Sequence, residues 1–350
     1  MSLIYHERPG VYSDYDASSV TLAGSTDRVI ALVGMSQAES GLYTVTSCTD
    51  GKQTFGENSE LGKMLKLAYQ NGAGKVLAYP VAADTESAYK QAFERIFAEK
   101  QAGFCAVGSG REDVQKALRD AVEAASMQKG ECIGLCGMEN AAPADLIARA
   151  AELNSERMVL IGPDVYLTGE SAAAGGAMAA AALAGCLTDQ SDPAAPLNGQ
   201  VLNGLCGVTQ VYDDTQVDAL VTGGVTVLEC FGGKVSIMRG ITTRTTTAGT
   251  ADKTFRELST VLIIDDVIPS IRTALRTKFA RAKNNAVTRN AIRSQVVVEL
   301  EERIAKQIIE GYDHLTVTAS AEDPSTCVVE FEFAVVHGLN RIFLTAHISV

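Results

Sequence analysis

No tryptophan occurs in the 350 residues, and aromatics together make up only 6%. Single-stranded nucleic acid is held on stacked aromatic side chains, so that kind of binding is poorly supplied. Positive charge is scarce too: 30 Lys and Arg against 42 Asp and Glu leave a net charge of −12. Duplex binding needs a basic footprint for phosphates, so nucleic acid is not an expected partner. Histidines number four, and the eight cysteines form no Cys-x-x-Cys pair. Cys132 and Cys136 have no histidine near them in sequence, which does not match the spacing of metal ligands. Cys105, Cys132, Cys136, Cys206, Cys230 and Cys327 lie in apolar runs and are expected to pack as small hydrophobes. No metal and no cofactor is expected.

Long apolar runs are missing as well. Met1 to Gly10 lacks the basic start and apolar core of a signal peptide. Ser171 to Leu187, the most hydrophobic stretch, is mainly Ala and Gly and is short for a bilayer span. It reads as a buried helix, so no direct membrane insertion is expected and the chain is expected to fold in a cytoplasm.

Catalytic patterns are absent in the same way. Neither a GxSxG elbow nor an HExxH pair is present. Asn71-Gly72-Ala73-Gly74-Lys75 precedes a strand, where a phosphate loop would follow one, and reads as a turn. Gly108-Ser109-Gly110 does follow a strand and open a helix, but Asp113 stands where the third glycine of a dinucleotide loop belongs. Asp265-Asp266 reads as an exposed loop or helix start. His6, His314, His337 and His347 have no nucleophile or carboxylate motif beside them. No catalytic residue is assigned, and the chain is not expected to be an enzyme.

What is present is alternation. Arg28 to Gly34, Lys75 to Val81, Phe104 to Val107, Cys132 to Cys136 and Met158 to Ile161 read as buried strands. Between them lie helices over Asn58 to Gln70, from Asp84, over Glu112 to Ala125 and from Pro143, where a missing N–H costs nothing. Such alternation predicts an α/β fold, a mostly parallel sheet flanked by helices. Gly224 to Cys230 and Val235 to Met238 read as a hairpin turning at Gly232-Gly233. A helix is expected to begin at Ser270, carrying Ile271, Leu275 and Phe279. Another, about Ser294 to Glu310, places Val296, Leu300, Ile304 and Ile308 on one stripe and is expected to stop at Gly311. Strands follow over Leu315 to Thr318, Cys327 to Val335 and Arg341 to Val350. The last third is thus an α+β domain.

Two further features stand out. Both ends read as extended arms: Leu3, Tyr5, Val11 and Tyr12 flank the structure-breaking Arg8-Pro9-Gly10. At the other end Ile342, Leu344, Ala346, Ile348 and Val350 line one face of a strand with no partner after it, a template for pairing with another chain. No acid lies between Asp266 and Glu299, whereas Arg272, Arg276, Lys278, Arg281, Lys283, Arg289 and Arg293 do. That local reversal of sign suits docking on an acidic protein.

Arg8-Pro9-Gly10-Val11-Tyr12 resembles the opening of contractile phage and bacteriocin tail sheath proteins. Arg157-Met158-Val159-Leu160-Ile161-Gly162-Pro163-Asp164 with the Ala-rich helix through Ala184-Gly185, Met238-Arg239-Gly240-Ile241-Thr242-Thr243, and Asn284-Asn285 followed by Arg289 and Ile292 are similar to later segments of that family, in the same order. The resemblance implies six-subunit rings stacked around a tail tube, which shorten on a baseplate signal and drive the tube through a cell envelope. It implies an N-terminal arm over 1–20, an outer α/β domain over 21–235, a tube-proximal α+β domain over 236–338 and a C-terminal arm strand over 339–350. Partners implied are the chain itself, the tail tube protein, and baseplate and terminator proteins, with assembly in a bacterial host cytoplasm. The basic stretch then becomes a tube-facing surface, and the chain a short member without large outer insertions. The alternative from another class is an α/β nucleotide-binding enzyme with an appended C-terminal domain.

Overall fold

The computed structural model describes residues 29–340. The first elements are β1 (Val29–Met35), β2 (Tyr43–Val45), α1 (Cys48–Phe55), α2 (Glu60–Gln70), β3 (Val76–Val81), α3 (Glu86–Ala98), β4 (Ala102–Val107) and α4 (Glu112–Met127). Then come β5 (Ile133–Gly137), α5 (Pro143–Leu153), β6 (Met158–Gly162), β7 (Val165–Leu167), β8 (Ala173–Ala174) and α6 (Gly176–Asp189). β9 (Leu205–Val208), α7 (Asp214–Thr222), β10 (Val225–Phe231) and β11 (Lys234–Arg239) follow. The last are β12 (Thr246–Thr247), β13 (Thr250–Ala251), α8 (Leu258–Phe279), α9 (Ala286–Ala305), β14 (Ile309–Ala319) and β15 (Cys327–Val335).

Eight strands form one sheet in the order β11-β10-β6-β5-β4-β1-β3-β2. Its six inner strands are parallel; β2 and β11 close the two edges antiparallel. Strand side chains alternate between faces, and both faces are covered. Ile30, Leu32, Phe104 and Ala106 face one layer of core with α2 and α6. Ala31, Val33, Cys105 and Val107 face the other with α3, α4 and α5. The Ala-rich segment is the buried helix α6, with all of Gly176 to Leu187 inside. At the β10–β11 hairpin both Gly232 and Gly233 take positive φ (58° and 75°), the conformation such a tight turn requires.

The C-terminal elements build a smaller core. Ile263, Val267, Ile271 and Leu275 of α8 pack with Val296 and Leu300 of α9, and Phe331 and Phe333 of β15 close over them. The first turns of α8 instead lodge Leu258, Val261 and Leu262 in the large core. One helix therefore belongs to both. The division drawn at 235/236 falls inside β11, which stays paired with β10.

Three expectations are corrected here. Ser270 caps nothing: α8 begins at Leu258 and runs through Pro269, and Ser270 donates its hydroxyl to the Asp266 carbonyl at 2.8 Å. Burial on two sides keeps the helix continuous where proline's missing N–H argues for a break. Gly311 does not end α9. Gln307 takes the left-handed conformation (φ 58°), its N–H bonding to the Ile304 carbonyl and that of Ile308 to Arg303. This is a Schellman stop built without glycine, and it frees Ile309 to start β14. Cys206 is exposed, whereas Cys105, Cys132 and Cys136 are buried as expected.

Candidate assembly interface

α8 lies between the two cores and is pinned by ion pairs on both sides. Arg157, just before β6, places Nη1 2.5 Å from Oδ2 of Asp265, with the two side chains only 9% and 11% exposed. Two turns along the same face, Arg272 places Nη2 3.1 Å from Oε1 of Glu131, just before β5. Asp266 points the other way and meets Nε of Arg303 on α9 at 3.1 Å, and Arg303 also holds Glu299 at 2.9 Å. The pairs differ in balance. At Arg157, burial opposes the charge but Asp265 more than reverses it, and the pKa rises. At Arg272 burial prevails and the pKa falls, while burial pushes the Glu131 carboxyl up.

Two sequence expectations are corrected by these pairs. Asp265-Asp266 is neither exposed loop nor helix start, but the middle of a helix with each carboxylate on a different partner. Arg272 is not part of a free basic face, because it is buried against Glu131.

The other six basic residues cluster at the α8–α9 turn. Arg276, Lys278, Arg281, Lys283 and Arg293 are exposed and Arg289 is half-buried. Lys278 donates to Oε1 of Gln295 at 2.6 Å and Arg289 to Oδ1 of Asn284 at 2.9 Å, both neutral acceptors. Among the described residues none of the six forms an ion pair. Asn285 caps α9 by accepting from Thr288 N, and Asn284 donates to the carbonyls of Pro324 and Thr326. The turn is therefore tied to the β14–β15 loop.

β14 and β15 form a two-stranded antiparallel sheet, and among the described residues neither outer edge is paired. Such a ribbon is marginal unless more strands or packing complete it. The arm residues Leu3, Tyr5, Val11, Tyr12, Ile342, Leu344, Ala346, Ile348 and Val350 lie outside the described residues.

The large sheet has a topological switch point between β1 and β4, where open α/β sheets bind phosphates. Here that crevice holds a carboxylate. Glu60, the first residue of α2, accepts from Met35 N at 2.6 Å and reaches over Gly108, where a Cβ would meet its Oε2 at 2.3 Å. Burial pushes its carboxyl above the ordinary value of 4.5, with Asp84 and Glu139 adding to the effect and the Met35 bond opposing it. The folded chain thus binds this proton more tightly than the unfolded chain, and the group's contribution to stability falls as pH rises above 4.5. Glu60→Gln, which keeps an acceptor for Met35, is expected to gain stability relative to wild type between about pH 4 and about pH 8 in urea unfolding. A variant that loses ground toward pH 8 would show that the anion is wanted there.

Comparison with known proteins places this architecture. Residues 82–243 match the phage tail sheath protein central domain, and 250–349 match the phage tail sheath C-terminal domain. The chain belongs to the phage tail sheath family. It is 29% identical over 219 residues to the tail sheath protein of Bacillus phage SP01, across 60% of this chain and 37% of that protein. It is 26% identical over 306 residues to that of Mycobacterium phage Bxz1, across 83% and 52%. The chain thus spans about half or less of the length of these curated relatives. The contracted helical sheath of the anti-feeding prophage superimposes with a TM-score of 0.73 at 19% identity, covering 98% of this chain and 99% of that one. The sheath tail protein of Desulfitobacterium hafniense gives 0.70 at 13%, covering 93% and 100%.

These matches are to sheath proteins, and the nucleotide-binding enzyme gives way as a reading. Among the described residues no helix is long and apolar enough to cross a membrane. The segments that resembled the sheath family have structural work in this fold. Thr242 and Thr243 are fully buried and donate to the carbonyls of Phe255 and Ser155, and Arg239 pairs with Glu257. The Arg157–Asp265 pair went unseen in the sequence, although Arg157 opens one of those segments; nothing local marks a partner so distant along the chain.

Proposed function

We propose that this chain is the structural subunit of a contractile tail sheath, assembling as stacked six-subunit rings around a tail tube and contracting to drive the tube through a cell envelope. The observation that carries this reading is the β14–β15 ribbon, a half-built sheet in a chain of the sheath family. Arms over 1–20 and 339–350 from neighbouring copies complete it by β-augmentation. Residues 21–235 form the outer domain and 236–338 the tube-proximal one. Solved neighbours include a helical sheath and a baseplate complex of the anti-feeding prophage, which supports self-association and a baseplate contact. The tail tube and terminator proteins complete the partners, and assembly takes place in the host cytoplasm.

The tube-facing surface is the exposed group Arg276, Lys278, Arg281, Lys283 and Arg293, with Arg289 supporting the turn. It holds acidic patches on the tube until contraction. Negative-stain electron microscopy of the chain with co-expressed tube protein tests both points. Striated tubules are expected from wild type and none from a chain lacking 341–350. Reversing Arg276, Lys278 and Arg281 to Glu is expected to weaken tube capture at least about tenfold at moderate salt. Normal tubules from the truncated chain would remove the arm's role, and unchanged capture by the reversed chain would remove the tube-facing surface.

A further inference from the structure

The eight cysteines are all free thiols, and they divide by access. Cys105, Cys132, Cys136 and Cys186 are buried, and burial pushes each thiol above its ordinary value, to about 12 at Cys105 and Cys136 and about 11 at Cys186. Buried thiols of this kind are inert. Cys206 is exposed and Cys230 half-buried, and these two touch: Cys230 Sγ donates to the carbonyl oxygen of Cys206 at 3.8 Å.

The fold brings them together through backbone pairing. The segment before β9 is held along β11, where Gly199 N donates to the Ile237 carbonyl at 2.8 Å, and Ile237 N to that of Gln200 at 2.9 Å. Leu202 N then donates to the Val235 carbonyl at 2.9 Å, and Val235 pairs directly with Cys230 across the hairpin. From there β9 runs against β10.

Cys206 has a special place in β9. Leu205 pairs with Leu167 and Gly207 with Tyr166, so Cys206 is the extra residue of a bulge and takes no partner in the ladder. Bulges re-aim side chains. Its thiol donates to the Tyr166 carbonyl at 3.5 Å, and a thiol is a weak donor. A disulfide needs Cα atoms about 4.4–6.8 Å apart and Cβ vectors that converge. One sulfur already lies against the other residue's peptide. Closing the bond then takes a rotation of the exposed Cys206 side chain, at the loss of its weak bond to Tyr166.

We propose that Cys206 and Cys230 form a dithiol site that closes to a disulfide by exchange with a small-molecule disulfide, fastening the β8-β7-β9 sheet to the β10–β11 hairpin. The exposed Cys206 thiolate attacks one sulfur of the small disulfide, and a thiolate leaves from the other. The Cys230 thiolate then attacks the Cys206 sulfur of this mixed disulfide, and the second small thiolate leaves. The two protein thiols lose two protons and two electrons, and the small disulfide gains them as two thiols. A reducing compartment keeps the pair open, and an oxidising medium closes it. The site stands apart from the self-assembling reading above and does not depend on it.

The test treats the full, folded chain with oxidised glutathione at about pH 8, where thiolate is available. The intact mass is expected to fall by two hydrogens with no glutathione retained. Non-reducing peptide mapping is expected to join the peptides that hold Cys206 and Cys230. Cys230→Ser is expected to stop at a glutathione adduct on Cys206, since no thiol remains to resolve it. Cys206→Ser is expected to react at least about tenfold more slowly, because Cys230 alone is half-buried. The closed form is expected to have a higher urea midpoint than the reduced chain, because the link restricts the unfolded segment between 206 and 230. That shift is expected to be absent from Cys230→Ser. Circular dichroism before and after checks that closure occurs in the folded molecule. A wild-type chain that retains glutathione on Cys206, links to a second chain through Cys206, or closes only in urea overturns the proposal. Reaction at Cys48 or Cys327 in place of this pair overturns it as well.

Discussion

Asp265→Ala is expected to cost about 3–5 kcal/mol of folding stability, read as a large fall in the urea midpoint. The reason is what it leaves behind. Arg157 is buried just before β6, and its charge is tolerated because Asp265 of α8 sits 2.5 Å away. An arginine does not shed its proton, so removing the carboxylate strands a cation in a dry site. Asp265→Asn keeps an oxygen acceptor and loses only the charge, so a smaller loss is expected. The Arg272–Glu131 pair on the same helix makes a useful contrast, because there burial outweighs attraction on both partners. A wild-type midpoint in Asp265→Ala would mean that water reaches Arg157 and that α8 is not clamped to the sheet.

Gly137→Ala is expected to be nearly as damaging, about 3 kcal/mol, with a fall in soluble yield. Gly137 ends β5 where the first turn of α6 passes over the sheet. An added Cβ would lie 2.1 Å from the carbonyl carbon of Gly176 and 2.5 Å from the nitrogen of Ala177. Both are backbone atoms, so no side chain can swing aside. The rest of α6 is equally constrained: a Cβ on Gly185 would meet the Ala68 carbonyl oxygen at 2.4 Å. Helix α6 cannot retreat from the sheet without pressing on α2, and close-packed interiors transmit such strain. Gly110→Ala, whose nearest neighbour is at 3.5 Å, is the control expected to be tolerated. Equal midpoints for the two variants would show that α6 has room to move.

Both arguments turn on contacts that no local pattern announces. The resemblance to sheath proteins was legible in Met238 to Thr243, yet the reason for those residue types was not. Thr242 and Thr243 satisfy carbonyls at 255 and 155, and Arg239 meets Glu257, all reached only when the chain folds back. The basic stretch was legible as charge, but charge along a chain does not say which members keep it free. Arg272 lost its place on that face to a glutamate 141 residues away in sequence.

By itself, the sequence determined the elements and the faces they bury. Alternating strands and helical stripes are local periodicities, and hydrophobic burial follows them directly: Ile30 and Leu32 to one side, Ala31 and Val33 to the other. It also determined the hairpin turn, because Gly232-Gly233 supplies the positive φ. Tertiary structure alone decided that β1 lies between β3 and β4, that α8 runs unbroken through Pro269, and that α9 stops at a left-handed Gln307. Each of these sets a local cost or an ambiguous preference against contacts made by distant parts of the chain. Those contacts outweigh the local preference, and they exist only in the folded molecule.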